Sequence, residues 1–483
     1  MGKNFRRVIS IVFTVLLLLS LLAGCVDAGD RQQPATTSGE SANVDTDDGG
    51  LRPNLPEKAD YNRYDFRVLA RGLGKWAAQD MYSEGENGNT INNAVFRRNV
   101  KVEDMFNFRI SQTLVAKDAE LMSQIMNSLV AGDDDFDLVW VDSVNIVSLA
   151  MQGMLYDFAD LPYVNLEMPW WNKNAVDNLS INGHTYYTTG DISIIANQAT
   201  YVITFNKTLR TNLDLPDPYA LVSSGKWTMD IFAETANQAY FDVDADGISN
   251  AADVFGFLTY DRDVMGFMYA AGGRIADVSG GQITTNYYNE NIDSMINKLM
   301  DLKNTKATFL FSSDTTADRI FTEGRTLYSF RTLINLASYR DMDTNYGILP
   351  MPKLNEAQTS YHSGVHAYGV SFIGIPYNCT DPDRTGAILE ALAYESVDTL
   401  TPAYYDGLLI GRYFQDNESE KMLDIIFDTQ VFDLGYFCDW ADITSATQKM
   451  SKANQNMMLT LYNSKRKMID KAIEDTIEAF NKK

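Results

Sequence analysis

The chain has 483 residues, 45% hydrophobic and 22% charged, with 64 Asp and Glu against 40 Lys and Arg for a formal net charge of −24. That length suffices for two domains with buried cores. The acidic excess argues against nucleic acid as a partner and against an electrostatic grip on anionic lipid, and a chain of this size needs no disulfide scaffold.

The first element in chain order is an export signal. Lys3, Arg6 and Arg7 precede an apolar run from Val8 to Leu22, and the small residues Ala23 and Gly24 lead to Cys25. The run is short for a membrane-spanning helix and has no stop-transfer flank. Leu22-Ala23-Gly24-Cys25 resembles the lipobox of bacterial lipoproteins. The resemblance implies a signal peptide over 1–24 and a diacylglyceryl thioether on Cys25 as the first mature residue. Two acyl chains anchor stably where one is marginal. Residues 25–60 are rich in Gln, Pro, Thr, Ser, Gly and Asp and poor in large apolar residues, the composition of a disordered tether. Only Cys379 and Cys438 remain beyond Cys25, and the sequence does not decide whether they pair.

The body alternates strands with helices. Tyr64 to Gly72 reads as a strand ending at a glycine turn. Thr90 to Phe106 places Ile91, Val95, Val102 and Phe106 at helical spacing. "FRISQTLV" from Phe108 is a second strand, and "DAELMSQIMNSLVAG" a second helix stopped by Gly132. "FDLVWVDS" is the nearly continuous apolar run of a strand buried on both faces of a parallel sheet. Further strands are expected at 199–207, 254–260, 326–330 and 370–376. The last segment is amphipathic, with Met468, Ile469, Ala472, Ile473, Ile477 and Phe480 on one side. The alternation predicts an α/β fold with mainly parallel sheets flanked by helices.

Near the middle lies "DVDADGISNAAD", residues 242–253. Asp242, Asp244 and Asp246 supply carboxylates at calcium-loop spacing, Ile248 a backbone carbonyl, Asn250 a direct or water-borne contact, and Asp253 the closing ligand. Gly247 permits the sharp turn. The twelfth place holds Asp, shorter than the usual bidentate Glu. Outside the cell even a site of ~10⁻⁴–10⁻³ M affinity would be largely filled. The expectation is a structural Ca²⁺ brace between the preceding helix and the strand from Val254, not a switch.

"YVITFNKTLRTNLDLPDPYALVSSGKWTMDIFAETA", "NYGILPMPKLNEAQTSY", "IPYNCTDPDRTGAILEALAYES" and "TPAYYDGLLIGRY" together resemble the extracellular solute-binding proteins of sugar-type ABC importers. The resemblance implies a two-lobed periplasmic-binding-protein-like fold of type II, with a multi-strand hinge and ligand trapped between the lobes. Residues 61–188 plus about 363–440 would form one lobe, and 189–362 plus about 441–483 the other. The implied function is capture of a carbohydrate and delivery to an ABC permease by a lipid-anchored monomer outside the cell, without chemistry. Two alternatives from other classes stay open: a surface glycoside hydrolase, which paired carboxylates with sugar-cleaving activity would favour, and a calcium-dependent adhesion module, which a duplicated loop would favour.

Ligands of open α/β sheets sit beyond the carboxyl ends of strands. That rule and the resemblance together point to Trp76, Asp142, Arg331 and Trp440, with Gln198 and Asn197 as weaker candidates. Trp227 precedes Thr228, a predicted N-cap, and should pack on Phe232 as a hydrophobic staple. Trp140 reads as core, while Trp170 and Trp171 either line the cleft or lie beneath it. His362 and His366 stand four apart, but Gly364 between them and the absent Glu argue against a zinc protease.

Overall fold

In the computed structural model the described residues are 51–482 except 341, 343, 344 and 415. The signal peptide, Cys25 and the first part of the tether lie outside them. Residues 51–60, assigned to the tether by composition, lie against the body. Leu55 and Ala59 pack on its apolar core, and the Asp60 carboxylate accepts from Asn62 N at 2.8 Å and Asn107 Nδ2 at 2.6 Å.

The strands in chain order are β1 (Tyr64–Arg71), β2 (Phe108–Val115), β3 (Leu138–Asp142), β4 (Tyr187–Thr188), β5 (Tyr201–Asn206), β6 (Phe255–Thr259) and β7 (Arg274–Ser279). There follow β8 (Gln282–Asn286), β9 (Thr308–Leu310), β10 (Thr326–Thr332), β11 (Tyr346–Leu349), β12 (Ser363–Gly364), β13 (Ser371–Gly374) and β14 (Gln430–Val431). One five-stranded sheet has the order β2-β1-β3-β13-β4 and another the order β11-β5-β10-β6-β9. Each has a parallel core, β2-β1-β3 in one and β10-β6-β9 in the other. Antiparallel strands are added where the chain arrives from the other sheet: β13 beside β3, and β5 beside β10.

The chain leaves the first sheet after Thr188, enters the second at Tyr201, and returns between Leu349 and Ser371. A bridge from Thr200 to Val365 ties these two crossings, and β12 pairs with β14 to bring in a third segment. The result is two α/β lobes on a multi-strand hinge. The final helix, Met458–Phe480, touches both: Tyr462 packs on Tyr287 and Tyr288, and Phe480 on Tyr186.

Local chemistry explains the elements. β3, β5 and β10 are buried along their whole length, as runs such as "LVWVD" require. Asn89 caps the helix Thr90–Phe106, accepting from Ile91 N and Asn92 N, and Gly132 ends the helix Asp118–Ala131 at φ +76°. Trp227 is fully buried against Phe232, with ring centroids 5.8 Å apart and edge to face, so the staple forms. The Thr228 side chain makes no cap bond; Met229 N donates instead to the Lys353 carbonyl at 2.7 Å. One expectation fails in the final helix. Met468 is 52% exposed, and the buried line runs through Leu461, Ile469, Thr476 and Phe480. Cys379 and Cys438 are both free thiols.

Candidate functional site

Four strand ends meet between the lobes. After β1 the chain turns through a short 3-10 helix, Gly74–Trp76, which carries Lys75 and Trp76 off the first sheet. From the other lobe come Tyr260 and Arg262 beyond β6, Asp314 beyond β9, and Arg331 and Thr332 at the end of β10. Together with Phe330, Asn335 and His366 from the second crossing, they line a cavity of about 190 Å³. A second cavity of about 450 Å³ shares Lys75, Asp314 and Asn335 with the first and adds Gln198, Ser338 and Tyr413.

The Trp76 ring stacks on His366 with centroids 5.8 Å apart and planes 18° from parallel. A Cβ on Gly369 would stand 2.7 Å from the indole, so only glycine allows this approach. Lys75 Nζ lies 5.2 Å from the same ring and 2.7 Å from Asp314 Oδ2, which joins the two lobes across the cleft. Arg331, 3% exposed, is paired with Asp314 at 3.0 Å and with Asp318. Burial alone would raise the Asp314 carboxyl, but Arg331 and Lys75 outweigh it and hold the group below the ordinary carboxylate range. Arg262 Nη1 stands 2.7 Å from His366 Nε2. Burial, then Arg262 and Lys75, push the imidazole well below its ordinary pKa, so it is neutral and Nε2 accepts.

Of the residues picked from sequence, the structure brings Trp76 and Arg331 into the inner cavity and Gln198 into the adjoining one. Asp142 and Trp440 line neither. Asp142 is 3% exposed and caps the helix Ser143–Met151, accepting from Asn145 N at 3.3 Å and Asn145 Nδ2 at 2.7 Å. Trp440 is 6% exposed and packs over Gly435. Asn197 accepts from Gln430 Nε2 at 3.0 Å within the hinge. Lys75, Arg262, Asp314 and His366 were not foreseen. Lys75, Arg262 and Asp314 follow strand ends and were open to the rule that found Trp76; His366 was weighed only as a zinc ligand.

Trp170 and Trp171 are each 2% exposed and stand in the wall of a separate cavity of about 730 Å³. Their indole nitrogens donate to the two oxygens of Glu390 at 3.0 and 2.9 Å. Burial pushes the Glu390 carboxyl up to about 7, against the opposing pull of those bonds.

In the acidic loop, oxygens of Asp242, Asp244 and Asp246 lie within 4.8 Å of one another. Gly247 takes φ +75° and donates to Asp242 Oδ2 at 2.8 Å. Asp242 Oδ1 is buried without a partner. The Asp246 amide works to lower the Asp244 carboxyl, but desolvation and the neighbouring carboxylates raise it. This donor set fits a hard cation. Asp253 stands apart from the cluster, fully buried, and accepts from Val243 N at 3.2 Å and Asn250 N at 3.1 Å.

Residues 101–401 match the profile of a family described as bacterial extracellular solute-binding proteins. The chain belongs to that family. No curated protein matches it. Among solved structures, an ABC substrate-binding protein from Listeria monocytogenes in complex with cycloalternan aligns over 87% of this chain and 98% of its own, at TM-score 0.51 and 13% identity. A cyclo/maltodextrin-binding protein complexed with maltotetraose covers 88% and 98%, at TM-score 0.55 and 13% identity. The GacH receptor of Streptomyces glaucescens, solved unliganded and with acarbose, covers 86% and 98%, at 0.52 and 14%. At such low identity these likenesses carry the fold, a two-lobed periplasmic-binding-protein architecture of type II. In this solute-binding protein the cavity at the strand ends lies between the two lobes, and membership of the family puts it outside the cytoplasm.

Proposed function

We propose that this protein captures a carbohydrate between its lobes and presents it to an ABC importer, held at the outer face of the membrane by lipid on Cys25. The carrying observation is the inner cavity. A flat indole at Trp76 stands with its neighbour Lys75 opposite Arg262, Arg331, Asp314 and Asn335 of the other lobe. Sugars need that combination, since their C–H faces stack on rings while their hydroxyls seek paired polar groups. The three structural relatives with oligosaccharide-type ligands in their descriptions support the same class. Ligand binds the closed arrangement better, so it shifts the population toward a form that a permease can recognise.

A glycoside hydrolase needs one carboxyl to hold a proton and a second to stay ionised across the scissile bond. In the inner cavity, Asp314 is kept ionised by two cations. The geometry supports binding without bond cleavage.

We also propose that calcium sits on Asp242, Asp244 and Asp246, helped by the Ile248 carbonyl and Asn250, as a brace. Asp253 would hold the loop backbone from behind. The bridge between Phe241 and Val254 closes the loop at its base, so an ion there would fix the start of β6.

The test of the main reading is a thermal-shift screen against mono- and oligosaccharides, followed by solution scattering with the best ligand. A raised melting temperature and a smaller radius of gyration at saturation are expected. Saturation with an unchanged scattering profile would count against a closing cleft.

A further inference from the structure

Among the described residues, one cation of the inner cavity has no anion within salt-bridge reach. Lys75 and Arg331 share Asp314, and Arg331 also has Asp318. Arg262 is paired with no carboxylate among the described residues. Its sequence neighbours are committed elsewhere: Asp261 to Lys452 at 2.9 Å, and the fully buried Asp263 to Lys303 at 2.7 Å and Thr259 Oγ1 at 2.9 Å. What Arg262 does touch is uncharged. Nη1 donates to the neutral His366, and the guanidinium lies 4.7 Å from the Tyr368 ring centre. The Nε and Nη2 donors have no partner among the described residues.

A half-buried guanidinium without a counter-charge is costly to keep unless something pairs with it. It stands out further because the chain as a whole carries −24. The free edge of a guanidinium presents two parallel N–H groups, a fork that matches the two oxygens of a carboxylate. We propose that the captured sugar carries a carboxylate, as a uronate does, and that Arg262 receives it while Trp76 stacks on the ring. This deepens the carbohydrate reading and rests on it.

The experiment is calorimetric titration of the folded protein with oligogalacturonate and oligomannuronate, each beside its methyl ester, and with neutral and sulfated oligosaccharides. An acidic sugar should bind at least about tenfold more tightly than its ester, and Arg262→Gln should weaken it about ten- to hundredfold. Arg262→Lys should recover only part of the loss, since it keeps charge but not the fork. Neutral sugars that bind as tightly as acidic ones would overturn the proposal and leave the carbohydrate reading standing. Binding of sulfated sugars alone, or an Arg262→Gln protein with undiminished affinity for a uronate, would also overturn it. Failure of every sugar to bind folded protein would overturn both. If Arg262→Gln does not fold, the acid against ester comparison on the natural chain decides.

Discussion

Trp76 and the Trp170–Trp171 pair show how one residue type serves two purposes. Trp76 follows a strand end on a short helical turn, is only partly buried, and faces a cavity shared with charged groups of the other lobe. Trp170 and Trp171 are each 2% exposed, and both indole N–H groups are spent on one buried carboxylate. A partly buried ring in a cavity wall can take a ligand. A buried ring with its polar atom satisfied contributes packing and position. Trp227 belongs with the second kind, its Nε1 donating to the Pro350 carbonyl at 2.9 Å.

The contrast is open to attack from the structural side first. Trp227→Ala should lower stability by ~3–5 kcal/mol, the usual cost of emptying an aromatic site, while affinity in the remaining folded protein stays within about twofold. Loss of binding in a still-folded variant would erase the distinction. Next comes Glu390. Its carboxyl holds its proton up to about 7 in the folded protein, above the unfolded value. The folded state therefore binds protons more tightly, and this contribution is full at acid pH and is lost as pH rises through about 7, by about 3 kcal/mol. The melting temperature should fall between about pH 5 and pH 8, and Glu390→Gln should flatten much of that slope. Asp191, pushed up to about 6 by burial, adds a smaller change of the same sign. A profile unaltered by Glu390→Gln would break the account of the tryptophan pair. The calcium loop should act as a brace and not as part of the cleft. Calcium at ten times its Kd should raise stability by about 1.4 kcal/mol, EDTA should reverse it, and sugar affinity should not move. A melting temperature indifferent to both would remove the brace.

Much of the fold was legible because burial leaves a period in the sequence. The helix at Thr90–Phe106 and the strand at Phe108–Val115 appear with the limits read from the sequence. The hairpin of β7 and β8 was missed although Gly280 and Gly281, at φ +57° and +77°, mark its turn; its strands are too short and too polar to announce themselves. The π-helical stretch Ala403–Phe414, which supplies Leu408, Arg412 and Tyr413 to the outer cavity, has no sequence period of its own. The site was half legible. The strand-end rule located Trp76 and Arg331 because it depends on local order. It failed to separate Asp142 from them, since a strand-end residue can turn inward to cap a helix, and the resemblance that pointed to Trp440 at the last hinge led to a residue packed in the core. The pairing of Lys75 with Asp314 joins residues far apart in the chain, and no local pattern encodes it.

The central claim is that the cavity at the strand ends receives the sugar through Trp76. Calorimetric titration of Trp76→Ala beside the natural protein, with thermal melts of both, tests it most directly. The account predicts affinity lower by about ten- to hundredfold with a melting temperature lowered less than in Trp227→Ala, because the Trp76 ring packs on the core but is only partly buried. Normal affinity in the Trp76→Ala protein would contradict it and move the binding site elsewhere in the molecule.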